Sequence, residues 1–429
     1  MNVSFYGGAG EVGRSAIEVH DGQKHILIDC GVKLGAETQI PSLDKDFFRR
    51  VSNIVISHAH LDHIGFLPFL YLEGFSPTLY GTKPTFELAK LLLEDYSRIS
   101  KAFSVREISR VLSSAVQTPF MWKIKSSRFP SFSLLHSGHI LGSAMVKIEE
   151  EGGILYTGDF RVRAGKILEG CVRKIRARTL IMEGTYGLKS DKLPTIQTAS
   201  RALANSVRKT LEGGGIVLIP SFAVGRGQEI LLVLEDYMRS GFLPQVPIYV
   251  DGMIKKANKI YSKYVDYFKP EIQRRTKKSH NNPFSSSLFK SASPRNRSKI
   301  LSSPCIIVST SGMLTGGPVL EYLKAIGSSK KNKLIFVGYQ AEGTLGRRIQ
   351  DGERFVQIDG EEHYLNLEVE TVRFSAHADH DDLVRFANGI KGLKKIFLVH
   401  GEVKKLNELM SDLKQFEVAV PNINETFKV

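Results

Sequence analysis

Three histidines and an aspartate fall within six positions, His58-Ala-His60-Leu-Asp62-His63. Imidazole and carboxylate together are ligands for zinc, with manganese or iron as further options. His58 and His60 are two apart, so extended backbone points them the same way. Asp62 and His63 begin the turn into a helix-like run, IGFLPFLYL, and serve a neighbouring point. Two ligands plus two ligands suit two cations side by side, about 3.5–4 Å apart. A structural zinc site would be closed and rich in thiolate, yet Cys30, Cys171 and Cys305 all lie elsewhere in the chain.

More ligands must come from elements distant in sequence. The strand-like run HILIDCG ends in Asp29, and NIVIS runs into His58. GILYTGD ends in Asp159, TLIMEG carries Glu183, and IFLVHG ends at His400. If such strands share a sheet edge, their polar ends converge. His139 joins them from the glycine-flanked loop SGHILGS. The motif Gly8-Ala-Gly10-Glu-Val-Gly13 matches a dinucleotide fingerprint but is followed by SAIEVHDGQKHILID. Ile17 and Val19 alternate with polar residues and Asp21-Gly22 is a hairpin turn, so antiparallel strands are predicted where a nucleotide site needs a helix. FELAKLLLEDY has helical spacing, and Ser104-Val-Arg-Glu107 reads as a capping box.

After Glu183 the pattern becomes repeated strand–helix units. GGGIVLIP, PIYVDG, SPCIIVSTSG and KLIFVGYQ are buried strands, and EILLVLEDYM is an amphipathic helix. This predicts a doubly wound α/β domain inserted into another α/β domain. Its bounds are read as 187–368, splitting the host into 1–186 and 369–429. From Ile272 to Leu320 there is no acidic residue. The segment 273–303, rich in Arg, Lys, Ser and Asn, reads as flexible or extended, either a solvated loop or a contact for a phosphate backbone.

The 429 residues are 42% hydrophobic and carry a formal net charge of +15. That favours a polyanionic partner without naming it. Three widely spaced cysteines fit buried thiols in a reducing cytoplasm. The N-terminus lacks a signal-peptide pattern, and no stretch approaches about 18 apolar residues, so no membrane span is expected.

HAHLDH resembles the HxHxDH signature of the metallo-β-lactamase superfamily. Glu183 in MEGTYG, His377 in FSAHAD and His400 in VHGE resemble motifs of its β-CASP nucleases, as do PSFAVGRGQE, TSGMLTGGP and GYQAEGTLGR. The likeness spans nearly the whole chain. It is nearest to archaeal homologues of the nuclease subunit of the cleavage and polyadenylation specificity factor, with RNase J more distant. Gly184 stands where many relatives have serine, and Thr310-Ser311 replaces a more usual pair. The chain opens directly on the catalytic domain, so a form without KH domains is expected. The resemblance implies a metallo-β-lactamase αββα sandwich with an inserted β-CASP α/β domain. It implies two Zn2+ ions, with Mn2+ as the substitute: one on His58, His60 and His139, the other on Asp62, His63 and His400, with Asp159 bridging. Asp29 would orient a ligand imidazole.

The implied activity is hydrolysis of RNA to 5′-phosphate and 3′-hydroxyl ends, endonucleolytic or from the 5′ end. His377 would protonate the leaving oxygen and Glu183 would hold its ring. A histidine at the position of His400 resembles the RNA-cleaving branch. The site is expected in a cleft between the domains, the insert acting as a lid over single-stranded RNA. The protein partner would be a second copy or related β-CASP subunits.

Ser375 and the Ser311-Gly312 loop are candidate phosphate donors. Arg226 is a candidate RNA contact, although pairing with Glu229 is its expected local role. Trp122 stands alone, and one residue does not establish stacking. His20, His25, His136, His280, His363 and His380 are assigned to surface or packing. Two rival readings remain: a small-molecule hydrolase, which would not need Glu183, His377 or a basic insert, and a non-catalytic RNA-binding subunit, which would not need every ligand.

Overall fold

The predicted hairpin after the glycine motif forms. In the computed structural model, which describes every residue except Ala36 and His280, Asn2–Gly7, Ala16–His20 and His25–Ile28 pair antiparallel. The assignment of His280 therefore lies outside the described residues. These strands continue, now parallel, into Asn53–Val55, Thr78–Gly81 and Ala115–Gln117, and Thr426–Lys428 closes the other edge. A second seven-stranded sheet is ordered Glu417–Ala419, Lys395–Val399, Thr179–Glu183, Ile154–Tyr156, Ala144–Ile148, Phe132–His136 and Lys123–Ile124.

One core joins the inner faces of the two sheets: Phe5, Ile17, Ile28 and Val55 meet Phe132, Val146, Ile181 and Phe397. Alternate residues of the second sheet, including Leu155, Leu180 and Leu398, instead pack under the helices His380–Gly389 and Val403–Ser411. Each such side chain, fully buried, stabilises the fold by about 1.5–3 kcal/mol before entropy is charged. FELAKLLLEDY lies within the helix Lys83–Ser100. The capping box is present: Ser104 N–H donates to Glu107 Oε2 at 3.0 Å and Arg106 N–H to Ser104 Oγ at 3.2 Å, opening the helix Val105–Ser113.

The chain divides into two compact units. Met1–Ala164, Glu169–Lys192 and His377–Val429 form the first; Gly165–Leu168 and Leu193–Ala376 form the second. The second holds a parallel sheet ordered Phe289–Ser291, Ile248–Asp251, Ile306–Ser309, Val217–Pro220, Lys333–Phe336 and Glu368–Thr371. Its inner strands are largely apolar on both faces because both are covered, while the edge strands Phe289–Ser291 and Glu368–Thr371 are partly exposed. Val217, Ile219, Ile306 and Ile335 pack with the helices Ile196–Glu212 and Arg226–Arg239, while Leu218, Ile307, Leu334 and Phe336 pack with Pro318–Ile326.

The basic segment departs from the expectation of a flexible or extended run. Pro270–Ser279 is a helix, Phe289–Ser291 joins the sheet edge, and Arg297–Ile300 is a short helix. Local charge pairing explains the difference. Arg275 bonds Glu235 at 2.6 Å, Lys277 pairs with Asp266, and Arg297 is held by Asp251 and Glu321.

All three cysteines are buried and free. Burial pushes the Cys171 and Cys305 thiols up to about 12. Among the described residues, no helix is long and apolar enough to cross a membrane.

Candidate metal centre

Parallel pairing sets where the strand-end residues emerge. His25–Ile28 lies beside Asn53–Val55, so Asp29 and His58 leave one edge of the first sheet. Ile154–Tyr156, Thr179–Glu183 and Lys395–Val399 are parallel neighbours, so Asp159, Glu183 and His400 leave one edge of the second. A single shared edge becomes two, brought together by the core between the sheets. Asp29 and His400 have φ of 61° and 49°, the left-handed region, where each strand turns sharply to aim its polar end.

Two donor groups result. In the first, His58, His60, His139 and Asp159 offer atoms all within 4.8 Å of one another; in the second, Asp62, His63, Asp159 and His400 do the same. Nδ1 of His60 lies 3.2 Å from Nε2 of both His58 and His139. Asp159 Oδ2 is 3.5 Å from His58 and 3.6 Å from His139. Its other oxygen, Oδ1, is 3.5 Å from His63 and 3.3 Å from His400, and Asp62 is 3.2 Å from His400. Ligands at zinc bond lengths in a tetrahedron lie about 3.3 Å apart, so both groups have the spacing a small cation needs. One carboxylate serves both.

Unpartnered atoms make the same point. His63 Nε2 and Asp159 Oδ1 are buried without a hydrogen bond. Leaving such atoms unpaired costs about 1–3 kcal/mol each, a cost that a cation between them would offset. Burial and the facing His63 hold His58 well below the usual imidazole range, and burial lowers His60, so both rings are neutral, the form in which imidazole can take a cation. Burial acts to raise Asp159, but His400 and His63 outweigh it and hold the carboxylate ionised.

Around these donors stands a supporting layer. Asp29 Oδ2 accepts from Nδ1 of His63 at 2.7 Å, which turns Nε2 toward the cluster. Asp29 also accepts from Ser57 N–H at 2.7 Å, Ser57 Oγ at 2.7 Å and the Tyr156 hydroxyl at 3.0 Å. Asp29→Asn should therefore weaken zinc binding about 10- to 100-fold, read by competition with a chromogenic chelator. Unchanged affinity would remove Asp29 from the metal centre.

Beside Asp159 sits a second kind of pair. His377 Nδ1 lies 2.9 and 3.0 Å from the two Glu183 oxygens. Glu183 also accepts from Phe160 N–H at 2.8 Å and from the Thr185 hydroxyl. Asp159, Glu183 and His377 are close enough to count as a third donor group, but both Glu183 oxygens already take donors, which suits an orienting role. Burial alone would lower His377; Glu183 and then Asp159 outweigh it and raise the ring to about 9.

Several supporting residues escaped the sequence reading. Ser57 and Tyr156 lie inside quoted motifs, yet nothing in their spacing marks them as partners of Asp29. The rejected glycine motif has a structural task here. The Gly8 carbonyl accepts the His400 N–H at 2.6 Å, and a Cβ on Gly7 would stand 1.8 Å from the Arg14 carbonyl. Gly184 packs against Leu406, whose side-chain end would have to shift to admit a Cβ, 2.3 Å away.

The candidate substrate residues all belong to the second unit. Ser311 and Gly312 follow the strand Ile306–Ser309, and Ser375 follows Glu368–Thr371. Both are strand C-terminal ends of a doubly wound sheet, where such folds bind ligands. Ser311 Oγ accepts from Thr315 N–H at 2.9 Å, and the Gly312 carbonyl accepts from Gln340 at 3.0 Å. Arg226 is buried, bonded to Glu229 at 2.6 Å and over the Phe374 ring, the local role expected for it.

Comparison with known proteins matches this arrangement. The family model of the metallo-β-lactamase superfamily fits residues 9–213, that of the β-CASP domain fits 227–349, and that of the Zn-dependent metallo-hydrolase RNA specificity domain fits 363–421. Transcription termination factor FttA of Methanocaldococcus jannaschii is 39% identical, over 94% of this chain and 67% of its own length. The chain belongs to the β-CASP family of metallo-β-lactamase-fold hydrolases. An RNase J-like protein of the same organism is 37% identical, over 93% of this chain and 92% of its own. A crystal structure of a protein of unknown function from Enterococcus faecalis V583 superimposes with a TM-score of 0.60 at 15% identity, covering 99% of both chains, and shares the fold. This β-CASP protein thus has a metallo-β-lactamase domain carrying an inserted β-CASP domain.

Proposed function

We propose that this β-CASP protein is a metal-dependent ribonuclease that hydrolyses phosphodiester bonds of single-stranded RNA. The observation that carries the reading is the pair of four-donor groups sharing Asp159, with the Glu183–His377 pair beside them. His58, His60 and His139 would hold one cation, Asp62, His63 and His400 the other, with Asp159 common to both. Two bound cations, Zn2+ by donor type and Mn2+ as the substitute, would activate water at neutral pH and neutralise charge on the phosphate.

The chain's own side chains supply the rest. In-line displacement at phosphorus breaks the bond to the 3′ oxygen and leaves a 5′-phosphate. The departing oxygen needs a proton, which His377 would give. Glu183 holds Nδ1, fixing the ring and directing Nε2 to that task. Asp29 keeps His63 turned toward the cluster. Ser311, Gly312 and Ser375 are assigned to phosphate contacts.

The relatives' names support RNA as substrate: one is RNase J-like and others are transcription termination factors. The setting we assign to this activity is RNA processing or decay in the cytoplasm. The test compares circular RNA with linear RNAs bearing 5′-monophosphate, 5′-triphosphate or 5′-hydroxyl ends, with chelator and with restored zinc or manganese. Cleaved circles show internal cutting; mononucleotides from monophosphorylated RNA alone show 5′→3′ degradation. Ester hydrolysis with all RNA intact would replace this reading with a small-molecule hydrolase. Stoichiometric RNA binding without turnover would replace it with a non-catalytic subunit.

A further inference from the structure

The connection between the outer edges of the first unit's two sheets carries an exposed apolar pair. It leaves the edge strand Ala115–Gln117 of one sheet and enters the edge strand Lys123–Ile124 of the other. Phe120 folds inward against the His136 ring, at 5.6 Å between centroids. Met121 then takes the left-handed conformation, φ 64°, while its N–H donates to the Leu134 carbonyl at 2.8 Å. The turn so pinned leaves Met121 68% and Trp122 64% exposed. Trp122 is the chain's sole tryptophan. Tryptophan joins a large apolar face to a polar N–H, which suits it to a contact surface.

The charged residues that follow it directly in the chain are all basic. Lys123, Lys125 and Arg128 are exposed and follow directly in sequence. Residues 108–148 contain no aspartate or glutamate at all. The next acids along the chain are engaged. Glu149 is the acid that faces this cluster; burial acts to raise it, but its hydrogen bonds to Lys147 at 3.0 Å and Ser133 at 2.9 Å and the nearby charges of Lys147 and Lys123 hold it below the usual carboxylate range. Glu150 accepts the Ser131 N–H at 2.8 Å. The strand this turn is pinned to, Phe132–His136, runs on into the loop that bears His139.

The geometry points to a second RNA contact here, outside the metal centre: an unpaired base stacks on Trp122 with Met121 beside it, and flanking phosphates meet Lys123, Lys125 and Arg128. Stacking plus backbone cations is the combination by which proteins hold single strands without reading sequence. A lipid surface would call for a broad amphipathic face, whereas this patch is one turn and a two-residue strand. The inference rests on the ribonuclease reading and deepens it, giving the RNA a track that leads toward His139.

Trp122 is its own reporter. In the full-length His377→Ala chain, which keeps RNA whole, a short oligouridylate is titrated while tryptophan emission and the anisotropy of end-labelled RNA are both followed. Emission should fall in step with binding. Trp122→Ala should weaken binding about tenfold, and Lys125→Glu with Arg128→Glu should weaken it further and flatten its salt dependence. RNA that binds with emission unchanged overturns the patch and leaves the ribonuclease reading standing. Emission that answers vesicles of phosphatidylglycerol but not RNA overturns it in favour of a lipid contact. An unsubstituted chain that neither binds nor cleaves RNA fails the ribonuclease reading itself, and the patch falls with it.

Discussion

Asp159→Asn should empty both cation positions at once and reduce RNA hydrolysis to background. One oxygen of Asp159 faces His58 and His139, the other His63 and His400. Asparagine keeps the shape but brings no charge and only one oxygen. Cations in such sites supply several kcal/mol of transition-state stabilisation, so a loss of about a thousandfold or more is expected. Elemental analysis should show less metal per chain than in Asp62→Asn, which touches only the second group. Full metal content in Asp159→Asn would mean the two groups do not share a ligand.

His377→Ala should give the opposite pattern, with metal retained and turnover lost. Its ring lies outside the two four-donor groups and its Nδ1 is held by Glu183. Removing a proton donor lowers the rate about 10²- to 10⁴-fold. The loss should depend on the leaving group. A ribose oxygen needs the proton, while p-nitrophenolate departs without it. Hydrolysis of bis-p-nitrophenyl phosphate by His377→Ala should therefore stay near the unsubstituted rate. Equal losses on both substrates, or loss of metal, would assign His377 to holding a cation.

Much of this centre is legible in one dimension. His58, His60, Asp62 and His63 lie so close together that local backbone geometry alone brings them to one place. Asp29, Asp159, Glu183 and His400 are legible as a pattern, because a strand that ends in a polar residue must deliver it to a sheet edge. The covered strands of the second unit are legible too, since burial on both faces leaves a continuous apolar run.

Other features are decided by contacts between distant segments. That Asp29 belongs to His63, with Ser57 and Tyr156 as its further partners, follows from how two sheets face each other. The carbonyl of Gly8 bracing His400 joins residues near opposite ends of the chain. The basic segment looks unstructured by composition, yet carboxylates far along the sequence pair with its arginines and a sheet edge takes up its middle. Trp122 is silent in the sequence because exposure is a property of the folded surface. Residue type and short spacing determine which atoms can bind a cation; pairing across long loops determines which of them meet, since hydrogen bonds and apolar contacts act over a few ångströms of space whatever the separation along the chain.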